Sequence, residues 1–158
     1  MANTRIDPPL TIWYCDNCKG QITEPHAGTV SWNDPTVVSD NVGVVQNDFP
    51  EKFYILHKGA CDNMQRLPKS HDLNTMLGVN GLQWWAGYLW NGPTTAPMNF
   101  VPGVDLKPAM ELLYRLQVPY YEQARRYFNT SYSQYLTDST TTFTESTLRG
   151  IIEREGEQ

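Results

Sequence analysis

The sequence is poor in cysteine and in positive charge, and it has no long apolar run. Its 158 residues include three cysteines, an odd number that a secreted, disulfide-bonded scaffold would rarely contain. No run approaches the roughly 18 apolar residues of a membrane-spanning helix, and no signal-peptide core follows the N-terminal "MANTRIDPPL". The net charge of −5 repels nucleic acids and anionic membranes. We therefore expect a cytoplasmic protein without a membrane partner, and nucleic acid is disfavoured as its ligand.

The sequence also lacks a glycine-rich phosphate loop, because the glycines of "GVNG" have neither the required spacing nor a preceding strand. No nucleotide or organic cofactor is predicted. Apolar and aromatic residues, in contrast, are abundant: 40% of the residues are hydrophobic and 12% are aromatic, with no polar low-complexity tract. This composition is typical of a folded globular chain.

The first third of the chain is predicted to be rich in β-strands. Runs of β-branched and aromatic residues bounded by turn residues predict strands at residues 10–14, 28–32 and 52–57, with "VGVV" as a weaker candidate. Residues 33–41 contain Pro35 among Asn, Asp and Ser, and we expect a loop there.

From Cys61 onwards the apolar period becomes helical. Ser70 is a candidate N-cap for a second helix that Gly78 would end. In the final helix Leu148, Ile151 and Ile152 share one face, and Thr142 and Glu145 have capping-box spacing. The other predicted helices cover residues 61–67, 81–90, 106–117 and 119–128.

Three cysteines and a histidine have the spacing of a metal site. Cys15 and Cys18 form a C-x2-C pair after the first predicted strand, and His57 and Cys61 form an H-x3-C pair after 38 intervening residues. Zinc prefers four soft or borderline ligands in a tetrahedron, and four protein ligands leave no coordination position for water. We predict that these four residues bind a structural Zn²⁺ ion and that the site is not catalytic.

The order of strand, C-x2-C turn, strand hairpin and ligand-bearing helix resembles the treble-clef group of zinc fingers over about residues 10–67. The resemblance implies an α+β fold in which a small zinc-stabilised β-hairpin module packs on a C-terminal helical region. We place the module at residues 1–68 and the helical region at residues 69–158, packed as one unit. The long separation of the ligand pairs departs from the family pattern, and the knuckle keeps Gly20 but lacks other expected proline and glycine neighbours. A looser similarity of "FYILHKGACD" and "RLQVPYYEQARRYF" to small uncharacterised bacterial or phage proteins implies no activity.

Other interpretations of the cysteines remain open. Cys15 and Cys18 could form a redox pair, although that chemistry needs a helix beginning at the first cysteine, and "LTIWYCDNCKGQITEP" predicts none. The thiols could also be ordinary small apolar core groups, with His57 as a strand histidine. His26, in the turn "TEPHAG", is an alternative fourth ligand that we expect to be exposed.

Catalysis is a further alternative, because some treble-clef proteins carry a histidine–metal nuclease centre. A metal-dependent nuclease or hydrolase would need a histidine base and further metal ligands. The candidates outside the zinc site are His71, Asp72 and Asn74 in "SHDLN", together with His26. Since Ser70 and Asp72 are equally suited to capping a helix, we favour a protein that is not an enzyme.

The segment "GLQWWAGYLW" predicts a helix that is apolar on two sides. Leu82, Trp85, Ala86 and Leu89 would form the core face, which leaves Trp84 and Tyr88 on the opposite side. A helix that is apolar on both sides is either wholly enclosed or offers its second face to a partner, and both interpretations remain open. Because tryptophan and tyrosine are favoured interface anchors, we predict that Trp84 and Tyr88 bind a protein partner. The favoured function is thus a non-enzymatic zinc-binding protein that acts as a protein-interaction or regulatory module.

Nucleic-acid binding is the remaining alternative. In "YYEQARRYF", Arg125 and Arg126 lie beside three tyrosines, a mixture that can stack on bases and contact phosphates. The simpler interpretation is a helix that packs its aromatic rings inward and leaves the arginine stems on the surface.

Overall fold

The computed structural model describes residues 6–33, 37–39, 45–47, 52–91, 107–128 and 144–155, and its fold is mixed α+β, with small antiparallel sheets and C-terminal helices. The strands are β1 (Trp13–Tyr14), β2 (Gln21–Ile22), β3 (Gly28–Trp32), β4 (Val37–Ser39), β5 (Val45–Asn47), β6 (Phe53–His57) and β7 (Lys69–Asp72). The helices are α1 (Cys61–Gln65), α2 (Gly78–Asn91), α3 (Lys107–Gln117), α4 (Tyr121–Ala124) and α5 (Glu145–Glu155). No helix within these ranges is long and apolar enough to cross a bilayer.

The central sheet has the antiparallel order β6–β3–β7. Strand β3 is buried along its whole length, and its Gly28 pairs with His57 of β6 while its Val30 pairs with His71 of β7. Strands β1 and β2 form a separate short hairpin, and β4 pairs with β5. Strand β7 begins at Lys69, one residue past the predicted module boundary, so the sheet is completed by residues that we had assigned to the helical region.

Residues 69–76 differ from the sequence prediction. The helix that Ser70 was expected to cap is replaced by strand β7 and a 3₁₀ turn at Leu73–Met76. The second edge of the buried strand β3 needs hydrogen-bond partners, and β7 supplies them, which local capping propensity does not reveal. Gly78 has a φ of +59° and begins α2 instead of ending the preceding element.

Several other elements differ from the prediction in their bounds, and one contradicts it. Strand β1 is shorter than predicted, α2 is longer, and the helix predicted at residues 119–128 is divided into α4 and a 3₁₀ turn at Arg125–Tyr127. Strand β4 lies within residues 33–41, where a loop was predicted, because it pairs with β5.

Strand β3 matches its predicted range, and α3 buries Ala109, Leu112 and Leu116, three members of the predicted stripe. Helix α5 buries Leu148 and its two neighbouring isoleucines, as predicted. Thr142, its proposed capping-box residue, lies outside the described residues.

Helix α2 packs on the sheet through a face one residue away from the predicted one. Gly81, Trp84, Trp85 and Tyr88 are spaced i, i+3, i+4 and i+7, and Trp85 is only 2% exposed. Leu82, expected in the core, is 49% exposed. Two indole rings and a phenol bury more apolar area than the aliphatic face can, so the aromatic side of the helix faces inward.

Candidate metal centre

The first ligand pair lies in a tight turn between β1 and β2. The amide of Cys15 donates to the carbonyl of Gly20 at 2.9 Å, and the amide of Lys19 donates back to the carbonyl of Cys15 at 2.9 Å. Lys19 adopts a left-handed φ of +63°, which turns the chain sharply after Cys18. A Cβ at Gly20 would lie 3.3 Å from the Cys18 Sγ, so the glycine allows the chain to pass close to the ligand.

The second ligand pair lies at a strand-to-helix corner. His57 is the last residue of β6 and Cys61 is the first residue of α1. Gly59, with a φ of +80°, makes the turn between them. Because the amide of Asp16 donates to the carbonyl of Ile55 at 2.8 Å, the first turn is held against β6 and the two pairs converge.

The four ligand atoms of Cys15, Cys18, His57 and Cys61 all lie within 4.8 Å of one another. The His57 Nδ1 is 3.3 Å from the Cys18 Sγ and 3.9 Å from the Cys61 Sγ. With zinc–sulfur and zinc–nitrogen bonds of about 2.3 and 2.0 Å, a tetrahedron requires donors about 3.5–3.8 Å apart. The Cys₃His group therefore fits a metal ion such as zinc.

The hydrogen bonding of His57 orients its ring for metal binding. Its Nε2 lies 3.1 Å from the carbonyl oxygen of Gln21, which can only accept a hydrogen bond. The proton is thereby assigned to Nε2, and the lone pair of Nδ1 points toward the sulfurs. Metal-binding histidines in proteins commonly make this kind of second hydrogen bond.

The ionisation of the site favours at least one thiolate. Burial on its own would raise the pKa of the Cys15 thiol, but hydrogen bonds with the backbone of Cys18 and His57 lower that pKa to about 6. For His57, burial opposes the charged form, yet hydrogen bonding to Cys61 and Cys15 raises the pKa of the imidazole. The thiolate is the form of cysteine that binds metals, so Cys15 is ready to coordinate near neutral pH.

A buried ionic network fixes the Cys15–Cys18 turn to the helices. Asp16, inside the turn, accepts from Arg115 of α3 at 2.7 Å and from Arg125 at 3.2 Å. Glu122 of α4 forms a two-point pair with Arg115, at 2.8 and 3.0 Å, and also binds Arg125 at 2.6 Å. We call these four residues the ionic quartet. Two arginines balance two carboxylates, so the quartet is electrically neutral although Arg115 and Glu122 are only 3% and 4% exposed.

The quartet also satisfies the backbone of β1. The amide of Tyr14 donates to the Glu122 carboxylate at 3.0 Å, and Arg115 reaches the Tyr14 carbonyl at 3.4 Å. Sequence analysis did not identify Asp16, Arg115 or Glu122. The one available signal was a charged residue, Arg115, directly before Leu116 of the predicted apolar stripe, but its partner Asp16 lies 99 residues away.

The surroundings of the cysteines bear on the alternative interpretations. His26 is in a 3₁₀ turn, its side chain is 75% exposed, and it has an ionic neighbour, Glu24, at 3.9 Å. Cys15 begins a turn and not a helix, unlike the nucleophile of a thioredoxin-like pair. Cys15 and Cys61 are buried, as the core-thiol interpretation expects, but Cys18 is exposed and does not fit it.

Two of the candidate nuclease residues, His71 and Asp72, have other partners, and Asn74 is exposed. His71 accepts a hydrogen bond from the indole N–H of Trp84 at 3.2 Å and stacks on Trp32 with ring centroids 5.7 Å apart. Asp72 forms an ion pair with Lys58 at 2.6 Å. In the part of the chain that the structure describes, the Cys₃His group is the only set of three or more His, Cys, Asp or Glu side chains close enough to share an ion.

The two predicted partner-binding residues lie in an aromatic cluster on the sheet. Trp84 and Tyr88 stack on each other at 4.8 Å, and both meet the ring of Trp32 edge-on. Both side chains are half-buried. Among the side chains of α2 that the structure describes, which exclude those of residues 89–91, the exposed large apolar ones are Val79 and Leu82, at 73% and 49% exposure.

Arg125 and Arg126, which directly follow α4, have intramolecular partners. Arg125 belongs to the ionic quartet, and Arg126 lies 4.4 Å above the ring of Tyr14 while donating to its hydroxyl at 3.0 Å. Arg126 is thus used for packing.

Comparisons with protein-family models, curated proteins and solved structures give no significant match. The chemistry of the site therefore has to be argued from its geometry.

Proposed function

We propose that Cys15, Cys18, His57 and Cys61 bind one Zn²⁺ ion in a closed shell, and that this ion has a structural role. The convergence of four donors, from a turn and from a strand-to-helix corner, is the observation that carries the proposal. When bound, the ion would cross-link the turn between β1 and β2 to the corner between β6 and α1. The order of turn, strand and ligand-bearing helix supports a treble-clef-like arrangement, which is part of the same proposal.

The surroundings of the cluster support a structural and not a catalytic ion. Four protein donors complete the tetrahedron that zinc favours, so no coordination position is left for a substrate or a reactive water. The nearest carboxylate along the chain, Asp16, is held by two arginines and by the amide of Ile55, and is not available as a general base. We therefore propose a non-enzymatic zinc-binding module.

A comparison of two histidine variants tests the zinc proposal. Wild-type protein is expected to contain one zinc per chain by elemental analysis, and cobalt substitution should give the absorption of tetrahedral thiolate coordination. His57→Ala is expected to lose the metal and much of its thermal stability, because zinc binding in such sites is coupled to folding. His26→Ala removes an exposed histidine and should retain both. Equal metal content in the two variants would refute the assignment of His57.

The second part of the proposal is that the module contacts a protein partner through α2. It is supported by the exposed Val79 and Leu82 beside the half-buried Trp84 and Tyr88, since an apolar patch next to aromatic rings is suited to an interface. A photo-crosslinking residue at position 82 should trap a defined partner in the source cell. The same residue at the exposed position Gln65 of α1 serves as the control, and equal products from both positions would contradict the proposal.

A further inference from the structure

Positive charge is concentrated in one cleft of this acidic protein. The chain has 12 lysines and arginines against 17 acidic residues. Five of those cations, Lys19, Lys52, Lys107, Arg115 and Arg125, line a single cleft of about 410 Å³ between the Cys15–Cys18 turn and α3. A cation cluster in an otherwise acidic molecule gives a locally positive potential, which attracts anions.

Among the described residues that line the cleft, basic side chains outnumber acidic ones by five to two. The acidic residues of the lining are Asp16 and Glu111. Asp16 is balanced within the ionic quartet, where two arginines face two carboxylates. The other charged residues of this lining are Glu111 and three lysines, an excess of positive charge that favours an anionic ligand.

The cleft also offers directed hydrogen-bond donors. Arg125 uses its Nε and Nη2 on Glu122 and Asp16, while its Nη1 donates to no acceptor among the residues that the structure describes. Lys107 and Pro108, in the first turn of α3, line the same cleft. Guanidinium groups are recurrent contacts of phosphate oxygens.

We propose that this cleft binds a small phosphate monoester. Its volume is in the range of about 300–1,000 Å³ that small-molecule sites occupy, and it is larger than a single inorganic anion needs. The phosphate group would lie against Arg125 and the lysines that line the cleft. This inference does not depend on the proposed zinc role, although Lys19 and Asp16 belong to the metal-binding turn.

Two lysines at opposite ends of β6 provide a matched test. Lys52 precedes the strand and lines the cleft, where its ammonium is 4.9 Å from the Tyr54 ring, whereas Lys58 follows the strand and pairs with Asp72. Zinc-loaded protein is titrated with inorganic phosphate and with adenosine monophosphate, and amide NMR shifts are followed. We expect shifts confined to the cleft, with binding about three- to fivefold weaker in Lys52→Gln, as for one solvent-exposed charge pair. Lys58→Gln should bind like the wild type.

The remaining outcomes also decide the proposal. Lys107→Gln, on the other side of the cleft, should weaken binding similarly, and affinity should fall with added salt. Equal binding by Lys52→Gln and Lys58→Gln, or no cleft-specific shifts with either probe, would overturn it. Single-stranded oligothymidylate that binds to the cleft and is not displaced by the monophosphate would also overturn it, in favour of a nucleic acid surface.

Discussion

Replacement of Arg115 by methionine is the sharpest test of the ionic quartet. The substitution keeps most of the side-chain length but removes hydrogen bonds to Glu122, Asp16 and the Tyr14 carbonyl, at 2.7–3.4 Å. It leaves two carboxylates facing one arginine, Arg125, in a nearly dry site. Breaking a buried pair in this way costs about 3–5 kcal/mol, because an uncompensated charge stays buried.

This loss is large against the stability of a typical domain, about 5–15 kcal/mol. We expect urea unfolding of zinc-loaded Arg115→Met, followed by tryptophan fluorescence, to show a free energy of unfolding lower by about 3–5 kcal/mol. Arg115→Met should also lower the affinity for zinc, because the Arg115–Asp16 ion pair holds the Cys15–Cys18 turn against α3.

The double variant Arg115→Met/Glu122→Gln separates charge balance from simple loss of packing. It leaves Asp16 and Arg125 as a neutral pair 3.2 Å apart, and the glutamine oxygen can still accept from the Tyr14 amide. The net buried charge returns to zero in the double variant. Its loss in free energy of unfolding should therefore be about 1–3 kcal/mol smaller than the summed losses of the two single variants. Additive losses, or a loss below about 1 kcal/mol for Arg115→Met, would refute the reasoning.

Further predictions concern glycines and the metal. Gly20→Ala places a Cβ 3.3 Å from both the Cys18 Sγ and the His57 Cε1, so zinc should be lost at a lower chelator concentration; unchanged retention would count against this geometry. In α2, a Cβ at position 81 would collide with the backbone of Met76, in the 3₁₀ turn before the helix. Gly81→Ala should therefore lower the free energy of unfolding by about 3 kcal/mol. A Cβ at position 87 would meet nothing within 4 Å, so Gly87→Ala should stabilise the helix by about 0.5–1 kcal/mol. If Gly81→Ala and Gly87→Ala changed the melting temperature similarly, the packing of α2 described above would be contradicted. Chelation of zinc from wild-type protein should lower its melting temperature, and an unchanged melting curve would argue against a structural ion.

Local signals predicted much of the secondary structure. The β-branched run at residues 28–32 became β3, and the i, i+3, i+7 spacing of Ala109, Leu112 and Leu116 became the buried stripe of α3. The members of the Cys₃His group were found from spacing, because C-x2-C and H-x3-C are local patterns. These features succeed because the chemistry that they express acts between residues close in sequence.

The prediction was wrong where contacts with residues distant in sequence outweighed the local conformational propensity. Ser70 belongs to a strand because β3 offers it an edge to pair with, and Leu82 is exposed because Trp84 and Tyr88 fill the space over Trp32. Neither the edge nor the space is visible in the segment itself. Tertiary hydrogen bonds and buried aromatic area outweigh propensities that are worth a few tenths of a kcal/mol, on the order of helix propensity differences.

The sequence by itself determined the composition of the Cys₃His group and the amphipathic faces of α3 and α5. Only the tertiary structure decided that Asp16 pairs with arginines about 100 residues away, and that five cations of an acidic chain meet in one cleft. Ligand type and periodicity are properties of a short segment. Ion pairs and clefts form between segments that the folded core brings together, whatever their separation in sequence. Charge interactions between these segments are strong where they are buried, because the local dielectric constant is low.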